Sequence, residues 1–349
     1  MPHSFRPGFL ASMPISQTLL RAIREIGELR GKQLLHERQA PQALQALRQA
    51  AVIQSTQSSN RLEGILAPLK RLEGLALRKI QPRNRPEQEI AGYQAVLSTV
   101  HSNHEDMPFT TGVVLQLHRD LYQYAPQEGG RWKIADNEIS ETKPDGTRFV
   151  RFQPVPAHQT SESMEVLHQR FRDQQAQDQV EPLVLAAAYV LDFLCIHPFL
   201  DGNGRMARLL TLLLFYQAGF TVGRYISLEK LVEDNREGYY STLLASSQGW
   251  HEGKHDLRPW VEYFLGVVLL GAYRELESRT GELTMARGAK SDMVVEAIGR
   301  LPVSFRYSDI AANCPGVSRP TIRRVLKKMR DQGQIKCVKS GRNAVWNKL

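Results

Sequence analysis

Cysteine is scarce in this 349-residue chain: Cys195, Cys314 and Cys337 are odd in number and widely spaced. That spacing offers neither a disulfide framework nor a cysteine-based zinc site, and it fits a reducing compartment. No apolar run approaches the roughly 20 residues that a membrane-spanning helix needs. Residues 1–16 lack the basic-then-apolar pattern of a signal peptide. There is no internal repeat and no low-complexity tract. A Gly-x-x-x-x-Gly-Lys-(Ser/Thr) loop is also absent, which argues against a P-loop nucleotidase. These absences lead to the expectation of a cytoplasmic protein with no membrane partner.

What remains is ordinary in bulk and uneven in charge. Hydrophobic residues make up 42% and charged residues 23%, the balance of a soluble globular protein with room for two or three domains. The net charge is +9, yet residues 291–349 hold twelve Lys/Arg against four Asp/Glu and carry +8 of it. So concentrated an excess points to a separate C-terminal module with an anionic partner.

Apolar periodicity predicts a mainly α chain. Ser16 is a candidate N-cap for a helix with Leu19, Leu20, Ile23, Ile26 and Leu29 on one face. Further helices are expected over 43–53, from Pro86, from Thr110 or Thr111, and over 158–171, 182–196, 205–219, 228–247 and 257–277. Gly64 could stop a short helix over 58–63. One hairpin interrupts this pattern, with strands over 134–141 and 148–153 around the turn Lys143-Pro144-Asp145-Gly146-Thr147. Residues 280–290 read as a linker. Beyond it, helices over 291–298, 307–312 and 317–332 and a hairpin around Ser340-Gly341-Arg342 form a winged helix-turn-helix pattern.

The chemistry concentrates in His197-Pro198-Phe199-Leu200-Asp201-Gly202-Asn203-Gly204-Arg205-Met206-Ala207-Arg208. Glycines let backbone N–H groups form an anion-binding concavity, and a helix opening at Arg205 would add its positive end. Arg205 and Arg208, three apart, would project from one side of it. Gly202-x-Gly204-x-x-Ala207 also fits the weak dinucleotide fingerprint, but that motif needs a preceding strand, and here a long helical run precedes it. A plain helix-to-helix turn explains the glycines without explaining His197, Asp201 and the two arginines.

The stretch resembles the Fic-domain signature His-x-Phe-x-(Asp/Glu)-Gly-Asn-Gly-Arg-x-x-Arg at every defined position. The resemblance implies a Fic helical bundle with a β-hairpin flap and transfer of AMP from ATP to a Ser, Thr or Tyr hydroxyl of a protein, this chain included. It implies His197 as general base and Asp201 as the Mg²⁺ ligand. Gly202, Asn203 and Gly204 would line the anion hole, with Arg205 on phosphate oxygens and Arg208 on the γ-phosphate. Ser59-x-x-x-Glu63-Gly64 resembles the family's inhibitory motif, in which Glu63 would pair with Arg208. Tyr239 and Tyr240 resemble an adenine-packing pair, although Ser247 stands where some relatives place Asn. The hairpin would be the flap that aligns the target segment.

The implied organisation is an N-terminal helical region with the inhibitory motif (1–105), a Fic core (106–279), a linker (280–290) and a winged helix (291–349). Exposed Arg319, Arg323, Arg324, Lys327 and Lys328 on the longer helix, with Lys339 and Arg342 on the wing, suit DNA phosphates, while protein docking is the rival use. Other Fic-type transfers (UMP, phosphate, phosphocholine), removal of AMP, a nucleotide-sensing DNA-binding regulator and a homodimer stay open. His251-Glu252-Gly253-Lys254-His255 matches the zincin pattern, but Gly249 and Gly253 break the helix that pattern requires. It reads as a solvated loop.

Overall fold

The structure, a computed structural model, describes residues 2–39, 41–142, 148–285, 289–314, 317–339, 341 and 344–349. It divides into two units, Met1–Gly27 with Arg48–Tyr273 and Glu28–Leu47 with Arg274–Leu349. The boundaries expected near 105 and 280–290 do not coincide with that division.

The first part of the chain gives α1 (Gln17–Gln39), α2 (Pro41–Leu62), α3 (Leu69–Ala76), α4 (Arg85–Asn103) and α5 (Thr111–Leu121). A hairpin of β1 (Ile139–Thr142) and β2 (Arg148–Phe152) follows, then α6 (Ala157–Gln177), α7 (Pro182–Ile196), α8 (Asn203–Gln217), α9 (Leu228–Asp234) and α10 (Arg236–Ser247). Next, α11 (Arg258–Glu262) leads through a π-helical segment, Tyr263–Leu269, into α12 (Leu270–Met285). The C-terminal part holds α13 (Ala289–Arg300), β3 (Ser304–Arg306), α14 (Tyr307–Asn313), α15 (Arg319–Asp331), β4 (Ile335–Lys339) and β5 (Val345–Lys348).

In the first unit α7 is the axis. Every residue from Leu183 to Ile196 is buried, as an all-round apolar helix requires. It packs on α6 and α8, and α4 covers α8. Helix starts follow local chemistry: Ser16 accepts from the Leu19 N–H at 3.0 Å, Asn84 from Glu87 at 3.1 Å and Thr110 from Val113 at 3.3 Å. The one carboxylate inside α7, Asp192, accepts from Ser4 Oγ and Trp250 Nε1, both at 2.6 Å. Burial nevertheless raises its pKa to about 6.

Several elements differ from the sequence pattern. Residues 58–62 are not a separate short helix but the last turns of α2, with Gly64 at φ +75° after it. The helix expected over 228–247 breaks at Asn235, whose side chain caps α10 by accepting from the Gly238 N–H at 3.1 Å. Residues 280–285 continue α12, because a single interior glycine, Gly281, lowers helix propensity by only about 1 kcal/mol. Residues 286–288 of the expected linker, the turn Lys143–Thr147, Ser340 and Arg342 lie outside the described residues. His255 is buried rather than solvated: its Nε2 lies 2.9 Å from Ser4 Oγ and its ring stacks on Phe9.

The second unit packs α13, α14 and α15 on a three-stranded antiparallel sheet in the order β3-β5-β4. Strand β3 escapes the sequence reading because Ser304–Arg306 has only one apolar residue, Phe305, which is buried in that core.

Candidate active site

The segment from His197 to Asn203 joins α7 to α8, and its side chains fix its shape. Asn203 accepts from the Phe199 N–H at 2.9 Å and donates to the Phe199 carbonyl at 2.7 Å. Its buried side chain therefore clamps the loop, while the residue itself lines the cavity. Helix α8 opens at Asn203, two residues before the expected start, with Gly202 at φ +82° and no side chain capping it. The N–H groups of this first turn are thus presented with a positive helix end behind them.

His197 ends α7 in a left-handed conformation, φ +51° and ψ +61°. Its Nδ1 faces the Leu194 carbonyl at 3.3 Å, so Nδ1 carries the proton and Nε2 is the basic nitrogen. Burial pushes its pKa down to about 4, against the pull of that carbonyl and with help from the Lys133 charge. The imidazole is consequently neutral at physiological pH, the state a general base requires.

Asp201 projects from the loop with its side chain 60% exposed. One carboxylate oxygen accepts from the Gly202 N–H at 2.7 Å, and the other lies 3.7 Å from Arg205. His118 supports it from behind. Gly130 N–H donates to His118 Nδ1 at 2.9 Å, so Nε2–H donates to the Asp201 carbonyl at 3.1 Å, and the ring stacks on Phe199 at 3.6 Å. Among the described residues no group of three or more His, Cys, Asp or Glu could enclose a metal. A lone carboxylate fits Mg²⁺, which binds through one or two carboxylates while phosphates and water complete its shell.

The two arginines part company. Arg205 is 1% exposed, lies 2.8 Å from Glu89 and donates to Tyr122 at 2.9 Å. Its guanidinium is held by these two side chains and is not among the groups that line the cavity. A guanidinium one position after Gly204 turns into the bundle, where Glu89 on α4 neutralises it. Arg208 points the other way, into the cavity, and Glu63 meets it at 2.7 Å. Ser59 completes its shell, accepting from Arg208 Nε at 2.8 Å through its hydroxyl and from Nη2 at 2.9 Å through its carbonyl. Burial is the largest single influence and opposes that charge, but Glu63, with smaller help from Tyr239 and Tyr93, leaves the Arg208 pKa raised.

Glu63 does more than pair. A Cβ built on Gly204 would lie 2.2 Å from Glu63 Oε1 and 3.3 Å from Arg208 Nη1. The carboxylate therefore rests on the first turn of α8, where that helix would hold an anion.

These groups share a cavity of about 860 Å³, large enough for a nucleotide. Glu63, His197, Asp201, Gly202, Asn203, Gly204, Arg208, Tyr239 and Tyr240 all line it. Tyr239 is buried against Trp260, with ring centroids 5.5 Å apart. Tyr240 is flanked by guanidiniums, Arg151 at 5.1 Å and Arg236 at 5.6 Å from its ring centre. Arg151 on β2 also donates to the Tyr240 carbonyl, so the hairpin is tied to α10 beside the cavity.

Sequence reading missed the supports: Lys133, Asn137, His118, Glu89 and Tyr122. None belongs to a motif, since each acts on the loop from 60 or more residues away. Residues 134–138, expected as strand, continue the coil that begins before Lys133, and this coil carries Lys133 and Asn137 to the loop.

A helical bundle with a hairpin beside this loop is the architecture of Fic-domain proteins, and residues 108–215 match the Fic/DOC family model. The chain therefore carries a Fic domain, with His197–Arg208 inside the matched region and Glu63 outside it. Protein adenylyltransferase fic-1 of Caenorhabditis elegans is 28% identical over 185 residues, 51% of this chain and 32% of that protein. Protein adenylyltransferase Fic of Nematostella vectensis is 25% identical over 223 residues, 61% of this chain and 46% of that one. This chain thus matches less than half the length of either relative. Among solved structures, a Fic family protein from Desulfovibrio desulfuricans aligns over 96% of this chain and 97% of its own, with a TM-score of 0.61 at 22% identity. A C. elegans Fic-1 fragment aligns over 76% and 73%, with a TM-score of 0.58 at 22% identity.

Proposed function

We propose that this chain is a cytoplasmic protein adenylyltransferase, transferring AMP from ATP to a Ser, Thr or Tyr hydroxyl of a protein, itself included, and that Glu63 holds it off by pairing with Arg208. One juxtaposition carries the reading. A neutral imidazole, an exposed carboxylate, an uncapped helix N-terminus and Arg208 share a cavity in which Glu63 lies where an anion would bind.

In this reading His197 Nε2 takes the proton of the acceptor hydroxyl as its oxygen bonds to the α-phosphorus, and pyrophosphate leaves. The N–H groups of Asn203, Gly204 and Arg205 face the phosphate oxygens, which matters most because phosphoryl chemistry depends on positioning and charge neutralisation. Mg²⁺, held by Asp201, supplies charge neutralisation at the phosphates when bound. Arg208 is the γ-phosphate ligand once Glu63 leaves it. Tyr239 and Tyr240 form the adenine wall. The names of the relatives support AMP as the transferred group.

Incubation with α-labelled ATP and Mg²⁺ tests this directly. Glu63→Gly should incorporate label well above the wild type, and the additional change His197→Ala should abolish it. No label in any form sinks the reading and favours a nucleotide sensor.

We also propose that residues 291–349 form a winged helix that binds DNA. Arg319, Arg323, Arg324, Lys327 and Lys328 are exposed on α15, while Ile322, Val325, Leu326 and Met329 are buried beneath them. Affinity for duplex DNA should fall steeply between 50 and 200 mM salt, roughly tenfold or more. Binding that is flat with salt argues for a protein partner instead.

A further inference from the structure

The turn that presents His197 is held from outside as well as by its own side chains. Its left-handed conformation is uncommon for a non-glycine residue. Around it, four consecutive carbonyls, those of Ile196, His197, Pro198 and Phe199, are met by two residues of the coil before β1. The Lys133 N–H donates to the Pro198 carbonyl at 2.8 Å, and Lys133 Nζ donates to that of Ile196 at 3.1 Å. Asn137 Nδ2 donates to the Phe199 carbonyl at 2.9 Å and lies 3.4 Å from that of His197. Lys133 Nζ also donates to Asn137 Oδ1 at 2.8 Å, which turns the amide's NH₂ toward the loop.

Lys133 is only 3% exposed, and the oxygens it meets here are neutral carbonyls. A buried ammonium whose hydrogen-bond acceptors are neutral is costly, with only the Coulombic pull of Asp136 in its favour. A lysine here supplies charge and directed donors, two of which are used, on Asn137 Oδ1 and the Ile196 carbonyl.

We propose that Lys133 and Asn137 are positioning residues for His197: by capturing the carbonyls of residues 196–199 they hold the left-handed turn that aims the imidazole into the cavity. This rests on His197 being the general base. Lys133 has a second effect through its charge, which works with burial to keep His197 neutral, while Glu63 and Asp201 pull the other way. Asp136 is the charged group that acts on Lys133 itself.

The test compares Lys133→Met, Lys133→Arg and Asn137→Ala in a Glu63→Gly background, with His197 titrated by NMR and AMP incorporation followed in parallel. In Lys133→Met the His197 pKa should rise by about one pH unit. Its kcat should fall roughly 10- to 100-fold, with KM for ATP changed less than about twofold. Lys133→Arg should restore part of both. Asn137→Ala should lower kcat while leaving the His197 pKa in place. Parent-like kcat and parent-like His197 titration in both Lys133→Met and Asn137→Ala overturn the proposal. If the Glu63→Gly parent incorporates no label, the functional reading fails, and the His197 pKa and tautomer in these variants decide the proposal on their own. Should Lys133→Met fail to fold, Asn137→Ala carries the rate measurement.

Discussion

The carboxylate of Glu63 lies 2.7 Å from the guanidinium of Arg208, on the N-terminal turn of the same helix that carries that arginine. One side chain thus covers the cation and the helix end together. Any anion bound there must displace both contacts at once.

Removing Glu63 should raise activity and lower stability in the same protein. Arg208 is 5% exposed and would be left without its carboxylate. Breaking a fully buried pair costs about 3–5 kcal/mol. Here the Glu63 side chain is 33% exposed and Ser59 keeps two of the arginine's bonds, so about 1–2 kcal/mol is expected. Urea unfolding of Glu63→Gly checks it, and Glu63→Gln should fall between the two.

Gly204→Ala should act against Glu63→Gly. A methyl at this position occupies the space over the helix N-terminus, 2.2 Å from where the Glu63 oxygen sits. It would push Glu63 aside yet stand where a phosphate must come. AMP incorporation by Glu63→Gly should therefore drop about tenfold or more when Gly204→Ala is added. Equal rates would place the phosphates elsewhere.

Arg205 and Arg208 should separate cleanly in experiment. Glu89→Gln weakens the buried pair with Arg205, and about 2–4 kcal/mol of stability should be lost. Nucleotide affinity of the folded fraction should change less than in Arg208→Lys, because Arg205 lies outside the cavity. Thermal melts and equilibrium binding of ATP measure the two effects.

Acid should destabilise the protein from just below neutrality. Burial lowers the pKa of His101 to about 3 and of His118, His168, His197 and His255 to about 4. Between those values and the unfolded pKa near 6.5 the unfolded chain binds more protons, so stability falls as pH falls through that window. Asp192, raised to about 6, works in the opposite direction between about pH 4 and 6, one group against five. The unfolding temperature should drop by at least about 5 °C from pH 7 to pH 5. A flat profile would show that the five imidazoles are not buried as described.

The legible parts of this chain are those in which neighbours in sequence act together. Apolar runs such as 182–196 and caps such as Thr110 and Ser16 are local, and the helices they specify appear within a few residues of where the pattern puts them. The loop from His197 to Arg208 is legible for the same reason: base, carboxylate and glycines lie within twelve residues. Breaks such as Asn235 were harder to see, since an asparagine can continue a helix or cap the next one, and packing decides between the two.

By itself the sequence determined which residues could bear the chemistry, because backbone conformation and residue type act over a few positions. Only the tertiary structure decided which way each one faces. Spacing alone put the two arginines on one side of the helix, and only the family resemblance set Arg208 against Glu63. Glu89, on a helix more than a hundred residues earlier, draws one into the core, and the other is left to meet Glu63 across 145 residues. Buried charge must find its counter-charge wherever the fold brings it, and sequence spacing does not record that.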